Sequence, residues 1–348
     1  MVTADCLLVT PRWNPEGGGR ERYAAELVDA AARRGARMHV VADQSAAQTA
    51  RAIATWRSAQ PGAPVLALEP TYGATHYQAH SGVLAEAYAA EGRSFRGRLR
   101  RTFAPIGLAL DVARQRRLRA ERTLCSDPAT RIMTFSHRDA ASLRQRFGVT
   151  AAQLTTAHPG INLQRFLPGV RRHADGPIRA LFAGHNFRLK GLDAALQAVA
   201  RSDREIHLTV AGGDRTAPWI RRANGLGLAM RVLFVGSVDS RTMVQLYQQS
   251  DVLIHPAAYD PFPRVIPEAL ACGCPVITTP SCGGAEIVRT GHDGWVVEGP
   301  DKVGQIAEVL ATLRSSASGP SAARNAVTTG RRFDFEVHVT DVLAWLRA

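Results

Sequence analysis

Lysine is scarce in this chain: of 43 basic side chains, only Lys190 and Lys302 are Lys. Lys190 stands in Gly184–Gly191 (GHNFRLKG), between an apolar strand-like run, Ile178–Ala183, and a helical pattern opened by Gly191-Leu192-Asp193. A cation at that point, with Arg188 beside it, adds charge where the N–H groups of a helix start already point, which suits a diphosphate. The plainer alternative is a solvated surface cation, which the helix dipole disfavours. A second segment, Asp260–Cys274 (DPFPRVIPEALACGC), predicts a short helix with Pro267 as its first residue, Glu268 in its first turn and Gly273 as its stop. A carboxylate so placed accepts two hydrogen bonds from vicinal hydroxyls of a sugar or ribose. Taken alone, Glu268 is only a favourable dipole charge worth ~0.3–1 kcal/mol. Two weaker signals lie nearer the start. Gly17-Gly18-Gly19 follows the first strand-like run and lets backbone approach a ligand, but Arg22 breaks the dinucleotide fingerprint. His76 and His80 (THYQAH) share a face if that stretch is helical, with His80 the candidate at an acceptor; a lone His is more often structural.

These residues need elements to hold them. Strand-like runs alternate with helical patterns along the chain: Cys6–Thr10, Met38–Ala42, Val65–Leu68 and Arg131–Phe135 in one series, then Ile178–Ala183, His207–Ala211, Val232–Val235, Val252–His255, Pro275–Thr278 and Gly294–Val297. Repeated strand-then-helix units predict an α/β protein with parallel, doubly wound sheets, whose ligands sit at the carboxyl ends of the strands. Ala157–Arg171, rich in Pro and Gly, separates the two series and is the expected linker. The expected division is 1–160 and 161–330, followed by a helix in 331–348 with Phe335, Val339, Val342 and Leu346 on one face, a face suited to packing back on the first domain.

Composition narrows the classes further. With 348 residues, 45% hydrophobic and 21% charged, two packed domains are expected and disorder is excluded. No apolar window is long enough for a membrane span, and the start lacks the basic region of a signal peptide, so a cytosolic protein is expected. Five Cys without a C-x-x-C or zinc spacing read as buried thiols, and no metal site is expected. The net charge of +13 is unevenly spread: Arg93–Arg122 holds ten Arg against two acids. Phe95, Leu99 and Phe103 recur there at helical spacing, a pattern that fits either an acidic membrane surface or a solvated helix with core Phe.

In order and spacing, the segments HPGINLQRF, AGHNFRLKG, LTVAGG, VLFVGSV, SDVLIHPA, YDPFPRVIPEALACGCPVITT, SCGGAEIV and GHDGWVV resemble the nucleotide-sugar-binding half of retaining GT-B-fold glycosyltransferases of family 4. Among its members the chain is most similar to those of the lipopolysaccharide core. The resemblance implies two Rossmann-like domains facing a cleft, an acceptor-binding one and a nucleotide-sugar-binding one. It implies that Lys190 and Arg188 hold the donor diphosphate, Glu268 the ribose and Asp260 the transferred sugar. Gly236 would line the base pocket, Gly184 and Val265 would lie at the donor, and Gly18 and Gly19 would cover the phosphates. It further implies hexose transfer from a nucleotide sugar, UDP-glucose by expectation, with no metal or other cofactor. The acceptor would be lipopolysaccharide core or another lipid-linked glycan at the cytoplasmic face of the inner membrane. His185, Asp260 and Pro263 depart from the family's usual Arg, Glu and Gly at those places. A nucleotide-sugar epimerase of the same architecture is the alternative enzyme, and a basic nucleic-acid-binding protein the alternative class, although no nucleic-acid module is present.

Overall fold

A computed structural model describes residues 5–15, 17–94, 111–169, 176–202, 205–313 and 318–348. It divides into two compact units, Met1–Gly160 with Phe335–Ala348, and Ile161–Asp334. Among the described residues each unit holds one six-stranded, all-parallel sheet with helices between most successive strands. The fold expected from strand–helix alternation is therefore present: two Rossmann-like doubly wound sheets, the GT-B class.

In the first unit the strands β1 (Cys6–Val9), β2 (Met38–Val41), β3 (Val65–Ala67), β4 (His76–Gln78), β5 (Arg131–Thr134) and β6 (Leu154–Thr156) are ordered β2-β1-β3-β4-β5-β6. Helix α1 (Gly19–Arg33) buries Tyr23, Ala24, Leu27, Ala30 and Ala31, the one-face spacing of an amphipathic helix. α2 (Ala46–Ala59) starts at a capping box in which the Ser45 hydroxyl accepts from the Gln48 N–H. α3 (Leu84–Arg93), α4 (Val112–Ser126) and α5 (His137–Phe147) complete the unit's central helices. Two strands escape the sequence pattern because their short sequences, HYQ and LTT, are mostly polar and make no apolar run. One of them overturns the helical reading of THYQAH: His76 lies within β4, paired in register with Leu66 and Arg131, and shares no helix face with His80.

The terminal helix, α12 (Phe335–Arg347), buries Phe335, Val339, Val342 and Leu346 and groups with the first unit. Tyr23 of α1 and His338 approach to 2.8 Å between Oη and Nε2, and Glu336 pairs with Arg33 and Arg34.

The second unit comprises β7 (Ile178–Ala183), α6 (Leu192–Arg201), β8 (Ile206–Ala211), α7 (Ala217–Gly225), β9 (Val232–Gly236), α8 (Ser240–Gln249), β10 (Val252–His255), α9 (Val265–Ala271), β11 (Val276–Thr278), a 3-10 turn (Gly283–Ile287), β12 (Gly294–Val296), α10 (Val303–Thr312) and α11 (Ser318–Gly330). Its sheet is ordered β12-β11-β10-β7-β8-β9. Strand burial on both faces explains the near-continuous apolar runs: Phe182, Val210, Ile254 and Ile277 in one row and Leu181, Leu253 and Val276 in the alternate one are all fully buried. Each such side chain contributes ~1.5–3 kcal/mol relative to exposure. The expected linker runs through Ile161, whose N–H bonds the Phe333 carbonyl at 2.8 Å.

Among the described residues no helix is long and apolar enough to cross a membrane. The Phe95–Phe103 stripe and most of the basic run around it lie outside the described residues.

Candidate functional site

The strand order of the second sheet decides where its loops converge. From β7 the chain moves outward through β8 and β9, then returns to the other side of β7 with β10, so the order reverses between β7 and β10. Loops leaving the carboxyl ends at such a reversal part and leave a crevice. Lys190 follows β7 and Asp260 follows β10, one on each side of this point.

Seventy residues apart in sequence, Lys190 Nζ and Asp260 Oδ2 meet at 2.5 Å. The same oxygen accepts from His255 Nε2 at 3.1 Å. Asp260 is buried, which by itself would raise its pKa, but Lys190 and His255 outweigh burial and hold its carboxyl below the usual carboxylate range. The Asp260 backbone is pinned as well, its N–H to the Ser281 carbonyl and its carbonyl to the Gly283 N–H. Neighbouring loops stitch Lys190 into place: the Phe187 N–H bonds Asp214 Oδ2 at 2.8 Å, and the Ala258 N–H bonds the Leu189 carbonyl at 2.9 Å. Gly191 caps α6 at φ +85°, where a Cβ would sit 2.2 Å from the Pro256 carbonyl oxygen. Only glycine lets these two loops approach this closely.

The other donor-side candidates are placed as follows. Arg188 is exposed on the Lys190 loop, Gly184 opens that loop at φ +151°, and Gly236 ends β9 at φ +71°. α9 begins at Val265, so Pro267 is its third residue rather than its first; Ile266 N–H already turns back to the Pro263 carbonyl, which starts the helix earlier than the proline suggests. Glu268 remains in the first turn and is buried, with Tyr247 Oη donating to its Oε2 at 3.0 Å and Arg264 Nε 4.0 Å from its Oε1. Tyr247 and Arg264 are thus among its partners. The helix ends as Gly273 foretells: Gly273 N–H bonds the Leu270 carbonyl, Cys274 N–H the Ala269 carbonyl, and Gly273 sits at φ +78°.

In the first unit Gly18 is the N-cap of α1 and Gly19 its first residue; a Cβ on Gly19 meets nothing within 4 Å. His80 follows β4, partly exposed, with Nε2 2.9 Å from Gln78 Oε1 and its ring edge-on to Tyr23 and Phe135. This sheet reverses order between β1 and β3. After β3 the buried Glu69 takes ion pairs from Arg20 and Arg117 and a hydrogen bond from Ser81. Sequence reading missed both Glu69 and His255. Glu69 carries no local signal, and His255 was read only as the end of a strand.

Residues 164–331, nearly all of the second unit, match the family model described as Glycosyl transferases group 1. The D-inositol 3-phosphate glycosyltransferase of Mycobacterium leprae (strain Br4923) is 31% identical over 234 residues, covering 62% of this chain and 54% of the relative. The chain thus spans about half the length of the curated relatives it matches. Among solved structures, WaaG, a glycosyltransferase involved in lipopolysaccharide biosynthesis, superposes with a TM-score of 0.79 at 20% identity over 97% of this chain and 98% of that one. Anabaena HepE in complex with UDP and glucose superposes with a TM-score of 0.75 at 18% identity, over 99% of each chain.

Proposed function

We propose that this chain is a glycosyltransferase that takes a hexose from a nucleotide sugar, UDP-glucose by first choice, and transfers it with retention of configuration and without a metal ion. The observation that carries this reading is the Lys190–Asp260–His255 cluster at the order reversal of the second sheet, within the region that matches the glycosyltransferase family. A departing nucleoside diphosphate gathers charge as the glycosidic bond breaks. Lys190 and Arg188 on a loop fastened from both sides supply preorganised positive charge for it, and such charge favours the transition state over the ground state. Asp260 then serves the sugar hydroxyls and Glu268 the ribose, with Gly184, Val265 and Gly236 lining the nucleotide. Gly18, Gly19 and His80 belong to the acceptor-binding unit.

The acceptor we propose is a lipopolysaccharide core or another lipid-linked glycan, with the enzyme peripheral on an acidic membrane surface. The likeness to WaaG supports it, whereas the Mycobacterium relative's name points to a phosphorylated cyclitol. Incubation with UDP-glucose, other nucleotide sugars and both acceptor types, monitored by nucleoside diphosphate release, tests the reading. No release and no nucleotide binding with any donor refutes it, and donor conversion without acceptor favours an epimerase. Replacing Arg96, Arg98, Arg100 and Arg101 lowers co-sedimentation with anionic liposomes if the membrane part holds; unchanged sedimentation removes it.

A further inference from the structure

His255 belongs to the cluster that carries the reading above but has no chemical role in it, and it shares an acceptor atom with the cation at its centre. The imidazole is 1% exposed at the carboxyl end of β10. Its Nε2 reaches the Asp260 oxygen that Lys190 also holds. An ionised carboxylate only accepts, so the Nε2 proton points at Asp260 whichever state the ring is in. Its backbone is pinned: the His255 carbonyl accepts from Thr278 Oγ1 at 3.1 Å and from the Ala257 N–H at 2.9 Å. Lys190 differs from His255 in freedom. Its side chain is 19% exposed on a four-carbon stem, while that of Asp260 is 8% exposed on a pinned backbone.

Two donors on one oxygen compete. When an anion draws Lys190 away, Asp260 is left as a nearly buried carboxylate, which without a remaining donor would be strongly unfavourable. His255 is the donor that stays. We propose that His255 is a positioning residue whose hydrogen bond keeps Asp260 ionised and in place once Lys190 leaves it, so that the Lys190–Asp260 pair is a latch a diphosphate can open. This rests on the donor-site reading. The consequence is directional: without the His255 bond, Lys190 is the side-chain donor left to Asp260 among the described residues, so Asp260 holds it harder and yields it less readily to phosphate oxygens.

The chain's lysine usage makes this measurable. Lys302, in an exposed pair with Glu298, is the only other lysine and serves as an internal reference. Acylation of the folded full chain by a small amine-reactive ester, read by peptide mass spectrometry, gives the Lys190/Lys302 rate ratio without nucleotide. The proposal expects this ratio to fall about tenfold in His255→Leu, the scale of a hydrogen bond to a charged group. It expects recovery in His255→Gln, which retains an N–H at similar reach, and a rise above wild type in Asp260→Asn. UDP affinity by titration calorimetry falls about tenfold in His255→Leu and recovers in His255→Gln, at equal melting temperatures for the two variants. An unchanged Lys190/Lys302 ratio in folded His255→Leu overturns the proposal, as does a Gln variant as impaired as the Leu variant. UDP that neither binds wild type nor protects its Lys190 counts against the donor-site reading instead, while the nucleotide-free ratio still decides the role of His255.

Discussion

Gly191 offers the sharpest test of how the Lys190 loop is built. A methyl at this position meets two separate penalties. At φ +85° an L-residue occupies the left-handed region, costing ~1–2 kcal/mol. Its Cβ would also lie 2.2 Å from the Pro256 oxygen, 2.8 Å from the Pro256 carbonyl carbon and 2.9 Å from its ring. Backbone atoms cannot rotate out of the way, so one loop must move, and overpacking of this kind costs ~1–3 kcal/mol. Together Gly191→Ala should destabilise by about 3 kcal/mol, a fall in Tm of roughly 6–12 °C for a unit of this size. The moving loops are the ones that carry Lys190 and Asp260, so UDP affinity should fall alongside. Gly304→Ala is the control: it lies in α10 with nothing within 4 Å of its Cβ and should be neutral to stabilising by up to ~1 kcal/mol. Differential scanning calorimetry of both variants decides the matter. A Gly191→Ala protein that melts within about 2 °C of wild type and binds UDP equally well would refute the argument that these loops meet at van der Waals contact through a glycine.

Other outcomes follow from the buried polar groups. The Asp260 carboxyl sits below its ordinary range, so its stabilising effect is present above the unfolded carboxyl pKa and is lost as pH falls through the lower folded value; Asp260→Asn should flatten that acid limb of a Tm-versus-pH curve. Glu121 behaves oppositely: burial pushes it from near 4.5 to about 7, so the folded state favours the protonated form. Stability should then decline from pH 4.5 to about 7, by up to about 3 kcal/mol, and Glu121→Gln should remove the decline in denaturant titrations at each pH. Tyr247→Phe takes away the hydroxyl on buried Glu268 and should cost ~1–3 kcal/mol in urea unfolding. All five thiols are buried, and burial pushes Cys6 and Cys282 up to about 12, so a thiol-specific chromogenic reagent should label none of the five until the protein unfolds.

Which elements were legible in the sequence has a physical pattern. β7 and β8 are six residues each and stand out through the alternate apolar residues Ile178, Ala180, Phe182 and Ile206, Leu208, Val210. α12 shows its face because four apolar residues fall at helical spacing and all four are buried. The end of α9 is readable because Gly273 adopts the one conformation that needs glycine. Its start is not, because Pro267 is tolerated anywhere in a first turn and so marks the turn without fixing the residue. β4 (HYQ) and β6 (LTT) are short and mostly polar, so no apolar run marks them, and the His76–His80 spacing suggests a helix only because strand pairing with β3 and β5 is invisible locally.

By itself the sequence determined that this is an α/β chain of two parallel sheets, because burial on both faces writes itself into composition, and that Lys190, Asp260 and Glu268 are chemically pointed residues. Which of them meet depends on long-range contacts. Lys190 and Asp260 share an oxygen with His255 because strand order reverses between β7 and β10. Glu268 faces Tyr247 and Arg264 because α9 packs it inward. Strand order is a property of long-range pairing, and no residue's neighbours in sequence record it.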